Sequence, residues 1–462
     1  MERLTLHELA TATGGALTCP SGRGIAFDKV SVDSRTTSAG EIFFALPGAR
    51  HDGRRFIADA IDRGAVAAVA EQPAATPVRP LVVVDDAVEA LGRFAGWYRS
   101  LLDALVIGVT GSVGKTTTRE LIHAALGGAP ASIRSRLNYN NRIGVPLTLL
   151  DVERGHQYAV VEMGADRPGD IGKLAQIARP EVGVITHLGV AHVETFGSEQ
   201  AIARAKGELI EELPAGGFAV LPGDQELARQ LVRRCRARVL FVGTSNDNTH
   251  RVAVRDCRPG RLQFSVDDVP FEVDAGGKHF AVAAGMAVTV ARTLGRTDRQ
   301  IAAGLKTFEP VAGRCRVAMT APWTVVDDTY NANPDSMRAA IEALAAWPTR
   351  GRRVLVCGDM YGLGERANAE HIELGRRAAA SAIDLVAAIG DFAGQVAHGA
   401  CRSGMEARCL ALFPERDRAA EWLRDTLRPG DVVWVKASRP LQLEQLVAAL
   451  ASTDGPHVRR AA

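Results

Sequence analysis

Gly111-Ser112-Val113-Gly114-Lys115-Thr116-Thr117 is the run in this 462-residue chain whose residue types and spacing most directly imply chemistry. Glycines let backbone N–H groups curl around phosphate oxygens, and the start of a helix adds partial positive charge. The run fits that use because an apolar stretch, Val106 to Thr110, precedes it and helically spaced residues, Thr118 to Leu126, follow it. Lys115 would reach the outer phosphates of a nucleoside triphosphate, and the Thr116 hydroxyl would ligate Mg²⁺. The plain alternative is a glycine-rich turn with no ligand, which the Gly-Lys-Thr order at a strand-to-helix junction disfavours. The general phosphate-loop pattern places glycine five positions before Gly114, where this chain has Val109, so the loop is a compact variant.

Further chemistry-bearing residues follow apolar runs. Glu162 ends Ala159-Val160-Val161, where a carboxylate could hold Mg²⁺, a hard cation that prefers oxygen donors. His187 and His192 follow Val182 to Thr186, and His192 is a candidate for metal or phosphate; a lone histidine is as readily a hydrogen-bonding residue. Arginine supplies most of the positive charge, yet lysine stands at Lys115, Lys206 and Lys436 within distinctive local sequences. A partly buried lysine can lose its proton and react as an amine, which arginine cannot. Asn138-Tyr139-Asn140-Asn141 could bond a polar substrate or simply form side-chain-capped turns. Asp327-Asp328-Thr329-Tyr330-Asn331-Ala332-Asn333-Pro334 reads as a nucleotide or substrate clamp, and equally as a helix start with Asn333 capping and Pro334 in the first turn.

The elements that must position these groups are alternating strands and helices. The first region has short strands at Val30–Arg35, Ile42–Leu46, Ala67–Ala70 and Leu81–Val84, a helix near Phe56–Arg63, and an exit helix over Ala87–Leu102. In the second, strands at Tyr158–Met163 and Val182–Thr186 flank a helix near Ile171–Ala178. A strand-rich stretch over Val239–Val273 follows, then helices at Ala281–Leu294 and Arg299–Lys306. The third alternates strands at Thr324–Asp327, Arg353–Cys357, Leu385–Ile389 and Val432–Val435 with helices at Asp335–Ala346, Glu370–Ala380 and Leu441–Leu450. Such alternation implies parallel sheets with ligands beyond the strands' carboxyl ends. Charges nearly balance at +2 and no apolar run has membrane-spanning length, which argues against nucleic acid partners and membrane insertion. The seven dispersed cysteines, lacking C-x-x-C spacing, read as reduced thiols in a cytoplasmic protein.

Taken together, these motifs resemble the Mur ligases, and among them the branch that joins D-alanyl-D-alanine to UDP-N-acetylmuramoyl-tripeptide. The resemblance rests on Thr110 to Thr117, Glu162-Met163-Gly164-Ala165, Ala191-His192-Val193-Glu194, Ala205-Lys206-Gly207-Glu208, Asn140-Asn141 with Gly144-Val145-Pro146, Asp327 to Pro334, Gly358-Asp359-Met360, and Lys436 with Ser438-Arg439. It implies an α/β protein of three domains. A small N-terminal α/β domain (1–103) would hold the UDP-sugar, a central parallel P-loop sheet (104–311) would bind ATP, and a C-terminal Rossmann-like domain (312–462) would close over both. It also implies Thr116, Glu162, His192 and Lys206 around Mg²⁺, with Lys206 carbamylated. Arg314, Asp328, Tyr330, Asn331 and Asn333 would complete the nucleotide site. Ser34, Arg35, Asn138, Asn140, Asn141, Lys436, Ser438 and Arg439 would meet substrate. Lys115, Lys206, His192 and Glu162 would carry an acyl-phosphate reaction in a monomer. The chain departs from the family in having His279-Phe280 and Ala283 where amides usually face adenine, and Ala437 where glycine usually follows the lysine. The alternatives are a Mur-type ligase adding diaminopimelate, lysine or glutamate, and a non-catalytic nucleotide-binding regulator.

Overall fold

Each strand around the phosphate loop is apolar on both sides because it lies between two cores. Ile107, Val109 and Val160 point into one buried cluster, while Val106, Ala159 and Val161 point into another. The computed structural model describes residues 1–48, 51–71, 80–190, 193–258, 260–319 and 322–451. Among these, three larger sheets follow one another along the chain, with five, nine and six strands. This is the three-part α/β architecture expected from the alternation of elements.

In the nine-stranded sheet, Leu105–Thr110 pairs in parallel with Tyr158–Glu162 on one side and Val182–Ile185 on the other. The chain leaves the Leu105–Thr110 strand first toward Ser132–Arg134 and Tyr158–Glu162, then crosses to Val182–Ile185, Phe218–Pro222 and Arg238–Gly243. The order therefore reverses at Leu105–Thr110, and the crevice at such a reversal is where open α/β sheets bind ligands. The strand-rich stretch after Val239 extends this sheet with antiparallel pairs, so the sheet is mixed and not wholly parallel. The tight turn at Asp267 and Asp268, with φ of 51° and 67°, turns the chain straight back on itself.

In the six-stranded sheet the last strand, Val432–Lys436, lies between Thr324–Asp327 and Arg353–Gly358, parallel to both. This register brings Lys436 out beside Asp327 and Asp328 at one carboxyl edge.

Several boundaries differ from expectation for local reasons. The strand expected over Val30–Arg35 spans Lys29–Ser31, because the Asp33 carboxylate accepts the Arg35 N–H at 3.0 Å and folds a turn. The helix expected from Thr118 begins at Lys115, with Gly114 capping it at φ 84°. The exit helix spans Ala87–Arg99, capped by Asp86. Strands at Phe218–Pro222 and Leu410–Phe413 and helices at Ala393–Arg402 and Arg416–Thr426 are further elements of the fold. No helix among the described residues is long and apolar enough to cross a membrane.

Candidate active site at the phosphate loop

A cavity of about 830 Å³ opens over the carboxyl edge of the central sheet and is walled on its far side by the third unit. Gly111 shows why the loop needs glycine. Its φ is 148°, and a Cβ there would stand 2.1 Å from the Thr186 hydroxyl oxygen. That approach lets the Ser112 N–H donate to the His187 carbonyl at 2.7 Å, tying the loop to the neighbouring strand's end. The Thr110 hydroxyl donates to the Met163 carbonyl at 2.8 Å and lies beneath the loop, not on the cavity wall. Gly111, Ser112, Val113, Gly114, Lys115, Thr116 and Thr117 all line the cavity.

Lys115 Nζ donates to the Gly111 carbonyl at 2.7 Å, and withdrawal from water holds its pKa below the usual lysine value. The Thr116 hydroxyl donates to Glu162 Oε2 at 2.9 Å, and Asn140 Nδ2 donates to Glu162 Oε1 at 2.9 Å. Lys206 reaches the same cavity from the Glu199–Glu211 helix and lies over the Phe196 ring, 5.7 Å from its centroid. Burial first, and the charge of Lys115 second, bring the Lys206 pKa down to about 7.

Among the described residues no three His, Cys, Asp or Glu side chains converge as a ready metal cage. Beside the phosphate loop the central unit offers the buried Glu162 carboxylate, the Thr116 hydroxyl and the Lys206 amine. That donor set fits Mg²⁺, which keeps its waters and binds through one or two carboxylates plus the nucleotide's own oxygens. His192 lies outside the described residues.

The same order of units runs through known proteins. Residues 27–98 match the Mur ligase family catalytic domain, residues 109–291 the Mur ligase middle domain, and residues 313–439 the Mur ligase glutamate ligase domain. The UDP-N-acetylmuramoyl-tripeptide–D-alanyl-D-alanine ligase of Bacillus subtilis is 31% identical over 453 residues, covering 97% of this chain and 99% of the relative. The chain belongs to the Mur ligase family. The ligase of the same name from Escherichia coli is 32% identical, covering 97% of this chain and 99% of its own. A crystal structure of MurF from Acinetobacter baumannii superposes with a TM-score of 0.88 at 30% identity, covering 98% of this chain and 99% of that one. MurF ligase from Thermotoga maritima, solved in complex with ADP, gives 0.80 at 31% identity over 92% and 97%.

The third unit of this Mur ligase presents Arg314, Asp328, Tyr330, Asn331, Asn333 and Lys436 to the cavity. Lys436 Nζ pairs with Asp328 Oδ2 at 2.8 Å and donates to the Asn331 carbonyl at 2.9 Å. The Arg314 guanidinium lies 3.9 Å from the Tyr330 ring centroid. Asn333 also caps the Pro334–Ala345 helix, accepting the Ser336 N–H at 2.9 Å. Asn141 accepts the Gly144 N–H at 2.9 Å, which is the side-chain-capped turn, and it also lines the cavity. His279, Phe280 and Ala283 line the cavity too. His279 Nε2 lies 3.6 Å from Cys315 Sγ, and burial lowers its pKa to about 4.

Five expected substrate residues are not cavity walls: Ser34, Arg35, Asn138, Ser438 and Arg439. Arg35 is exposed and pairs with Asp33 at 2.6 Å; Ser34 is buried. Asn138 is exposed. The Ser438 hydroxyl accepts the Tyr361 N–H at 3.0 Å, and Arg439 pairs with Glu444 at 3.1 Å.

Sequence reasoning missed two contributors. Arg119 is buried against Glu162 at 3.0 Å, although it reads as an ordinary charge in an amphipathic helix. Its trace was the i, i+4 spacing of Lys115, Arg119 and His123, a polar stripe on one helix face. Asp335 joins the third unit to the loop after Val182–Ile185, accepting the Val190 N–H at 3.1 Å beside His187 Nε2 at 3.6 Å. It was legible only as a first-turn acid.

Proposed function

We infer that this chain is an ATP-dependent ligase joining D-alanyl-D-alanine to UDP-N-acetylmuramoyl-tripeptide, a step of peptidoglycan precursor synthesis. One observation carries the reading. Lys115, Thr116, Glu162 and Lys206 share one cavity with Asp328, Tyr330 and Lys436 of the third unit, in a chain that aligns end to end with ligases of that name.

The substrate's terminal carboxylate oxygen attacks the γ-phosphorus of ATP, the bond to the bridging β–γ oxygen breaks, and ADP leaves. The amine nitrogen of D-alanyl-D-alanine then attacks the acyl carbon. The carbon–oxygen bond to phosphate breaks, phosphate departs with the electron pair, and the nitrogen gives up a proton. A carboxylate is a poor acyl donor, so phosphorylation supplies the leaving group. Lys115 neutralises charge on the transferred phosphoryl group, and the loop's N–H groups hold the phosphates in line. Thr116, Glu162 and a carbamylated Lys206 would hold Mg²⁺, which when bound supplies charge neutralisation at the phosphate oxygens. Closure of the third unit over the cavity would limit the access of water to the acyl phosphate.

The units are assigned to residues 1–103 for the UDP-sugar, 104–311 for ATP and 312–462 for closure, in keeping with the three sheets. Ser34 and Arg35, outside the cavity, fit a role in holding the remote UDP end. Seven free thiols fit the cytoplasm. The test is phosphate release from ATP by the purified chain with UDP-N-acetylmuramoyl-tripeptide, comparing D-alanyl-D-alanine with D-alanine, lysine, glutamate and diaminopimelate. Release and amide product with the dipeptide alone support the assignment. Amide product with a single amino acid instead, or phosphate release that needs no acceptor, overturns it.

A further inference from the structure

We propose that Arg119 is a positioning residue that sets the carboxylate of Glu162 and the backbone of the Asn138–Asn141 loop with one guanidinium group, and thereby governs how tightly the site takes Mg²⁺ with nucleotide. The inference rests on the ligase reading of the cavity and adds a residue that touches neither substrate nor phosphate.

Arg119 and Glu162 side chains are each only 2% exposed. From one nitrogen, Nη1, Arg119 donates to Glu162 Oε2 at 3.0 Å and to the Leu137 carbonyl at 2.9 Å. From the other side, Nε and Nη2 donate to Glu120 Oε1 at 3.2 and 2.6 Å. Glu120 is held in turn by Arg134, whose Nη1 lies 3.0 Å from His123 Nε2. The fork is thus anchored at its base and aimed at the cavity.

Its two outward bonds end on groups with separate duties. Glu162 Oε2 also accepts the Thr116 hydroxyl, so the arginine and the magnesium-binding threonine grip the same oxygen. Glu162 Oε1 accepts only Asn140 Nδ2 among side-chain donors of the described residues, which leaves that oxygen with capacity toward the cavity. Leu137 has φ 37°, a left-handed conformation unusual for a leucine, and its carbonyl is the atom Arg119 holds. Three residues further on, Asn140 closes the ring back to Glu162. Movement of the loop and rotation of the carboxylate are therefore one event, hinged on Nη1.

A guanidinium can make these bonds because its donors diverge in a fixed plane. A lysine ammonium keeps the charge but not the fork. Arg119→Lys is accordingly the informative variant, since it leaves no buried carboxylate without a cation. The experiment is calorimetric titration of the full chain with ADP, in EDTA and then in excess Mg²⁺. In EDTA, Arg119→Lys should bind ADP within twofold of wild type, because the phosphate loop is untouched. The gain in affinity on adding Mg²⁺ should shrink about tenfold, the scale of one misaligned charge-assisted contact. An undiminished gain overturns the proposal, as does an equal loss with and without the metal, the mark of a merely structural arginine. Should Arg119→Lys fail to fold, Glu120→Gln replaces it: the base of the fork is weakened while every group on Glu162 stays. It should cut the Mg²⁺-dependent gain at least threefold, and an unchanged gain refutes the proposal. Wild-type protein that bound no ADP would count against the ligase reading instead.

Discussion

Replacing Lys436 by methionine should strand a carboxylate in the third unit. Lys436 and Asp328 side chains are 4% and 9% exposed, with Nζ and Oδ2 2.8 Å apart. The substitution keeps an unbranched stem, one atom shorter, but removes the ammonium group and its charge, and the Asn331 carbonyl loses its donor as well. Asp328 would retain the Trp434 indole N–H, a long contact at 3.4 Å. Breaking a buried pair from one side costs about 3–5 kcal/mol. With a urea dependence of about 2 kcal/mol per molar, the unfolding midpoint should fall by about 1.5–2.5 M. Tryptophan fluorescence reports this transition, because Trp323, Trp347, Trp422 and Trp434 all lie in the third unit and Trp434 is fully buried beside the pair. Adding Asp328→Asn to the variant removes the stranded charge and should recover at least half of the loss. A midpoint shift below about 0.5 M would refute the reasoning, and so would a double variant no more stable than the single one.

Other outcomes follow from the same geometry. Lys115→Ala should lower turnover by about two to three orders of magnitude while leaving the far-ultraviolet circular dichroism unchanged; near-normal turnover would remove its assigned role. Burial brings the Lys206 pKa down to about 7, so a large share of its amine is unprotonated and nucleophilic near neutral pH. Incubation with ¹³C-bicarbonate should therefore give a carbamate resonance that grows as pH rises through about 7 and is absent in Lys206→Arg. Because that pKa lies below the unfolded value of 10.5, the unfolded chain binds more protons between the two. Lys206 should thus favour folding increasingly as pH rises from about 7 toward 10.5, and the benefit is lost as pH falls. Asp335→Ala removes the contacts to Val190 and His187, and scattering from the ligand-free variant should give a larger radius of gyration than wild type. An unchanged radius would mean that this contact does not hold the third unit.

The phosphate loop was legible because three constraints coincide there: a strand apolar on both faces, glycines where side chains would collide, and a lysine at the helix start. Glu162 was legible for a related reason, since a carboxylate that ends an apolar strand at the ligand edge has few other uses. The span of the third-unit strands Thr324–Asp327 and Leu385–Ile389 could be read directly from their buried runs. What the linear pattern hid was pairing across distance. Arg119 looks like an ordinary charge in an amphipathic helix until Leu137 and Glu162 are brought to it. The antiparallel extension of the central sheet depends on the backbone conformation of Asp267 and Asp268, which residue type alone leaves open. The buried tie between Lys436 and Asp328 exists because the final strand inserts between two earlier ones, an order that local periodicity does not encode.

If a substrate carboxylate and the γ-phosphoryl group meet over this sheet edge, oxygen must pass from one to the other. UDP-N-acetylmuramoyl-tripeptide carrying ¹⁸O in its terminal carboxylate should be turned over with ATP and D-alanyl-D-alanine, and the released phosphate analysed by mass. An acyl-phosphate route predicts one ¹⁸O in every phosphate formed with amide product. Unlabelled phosphate accompanying that product would contradict the account.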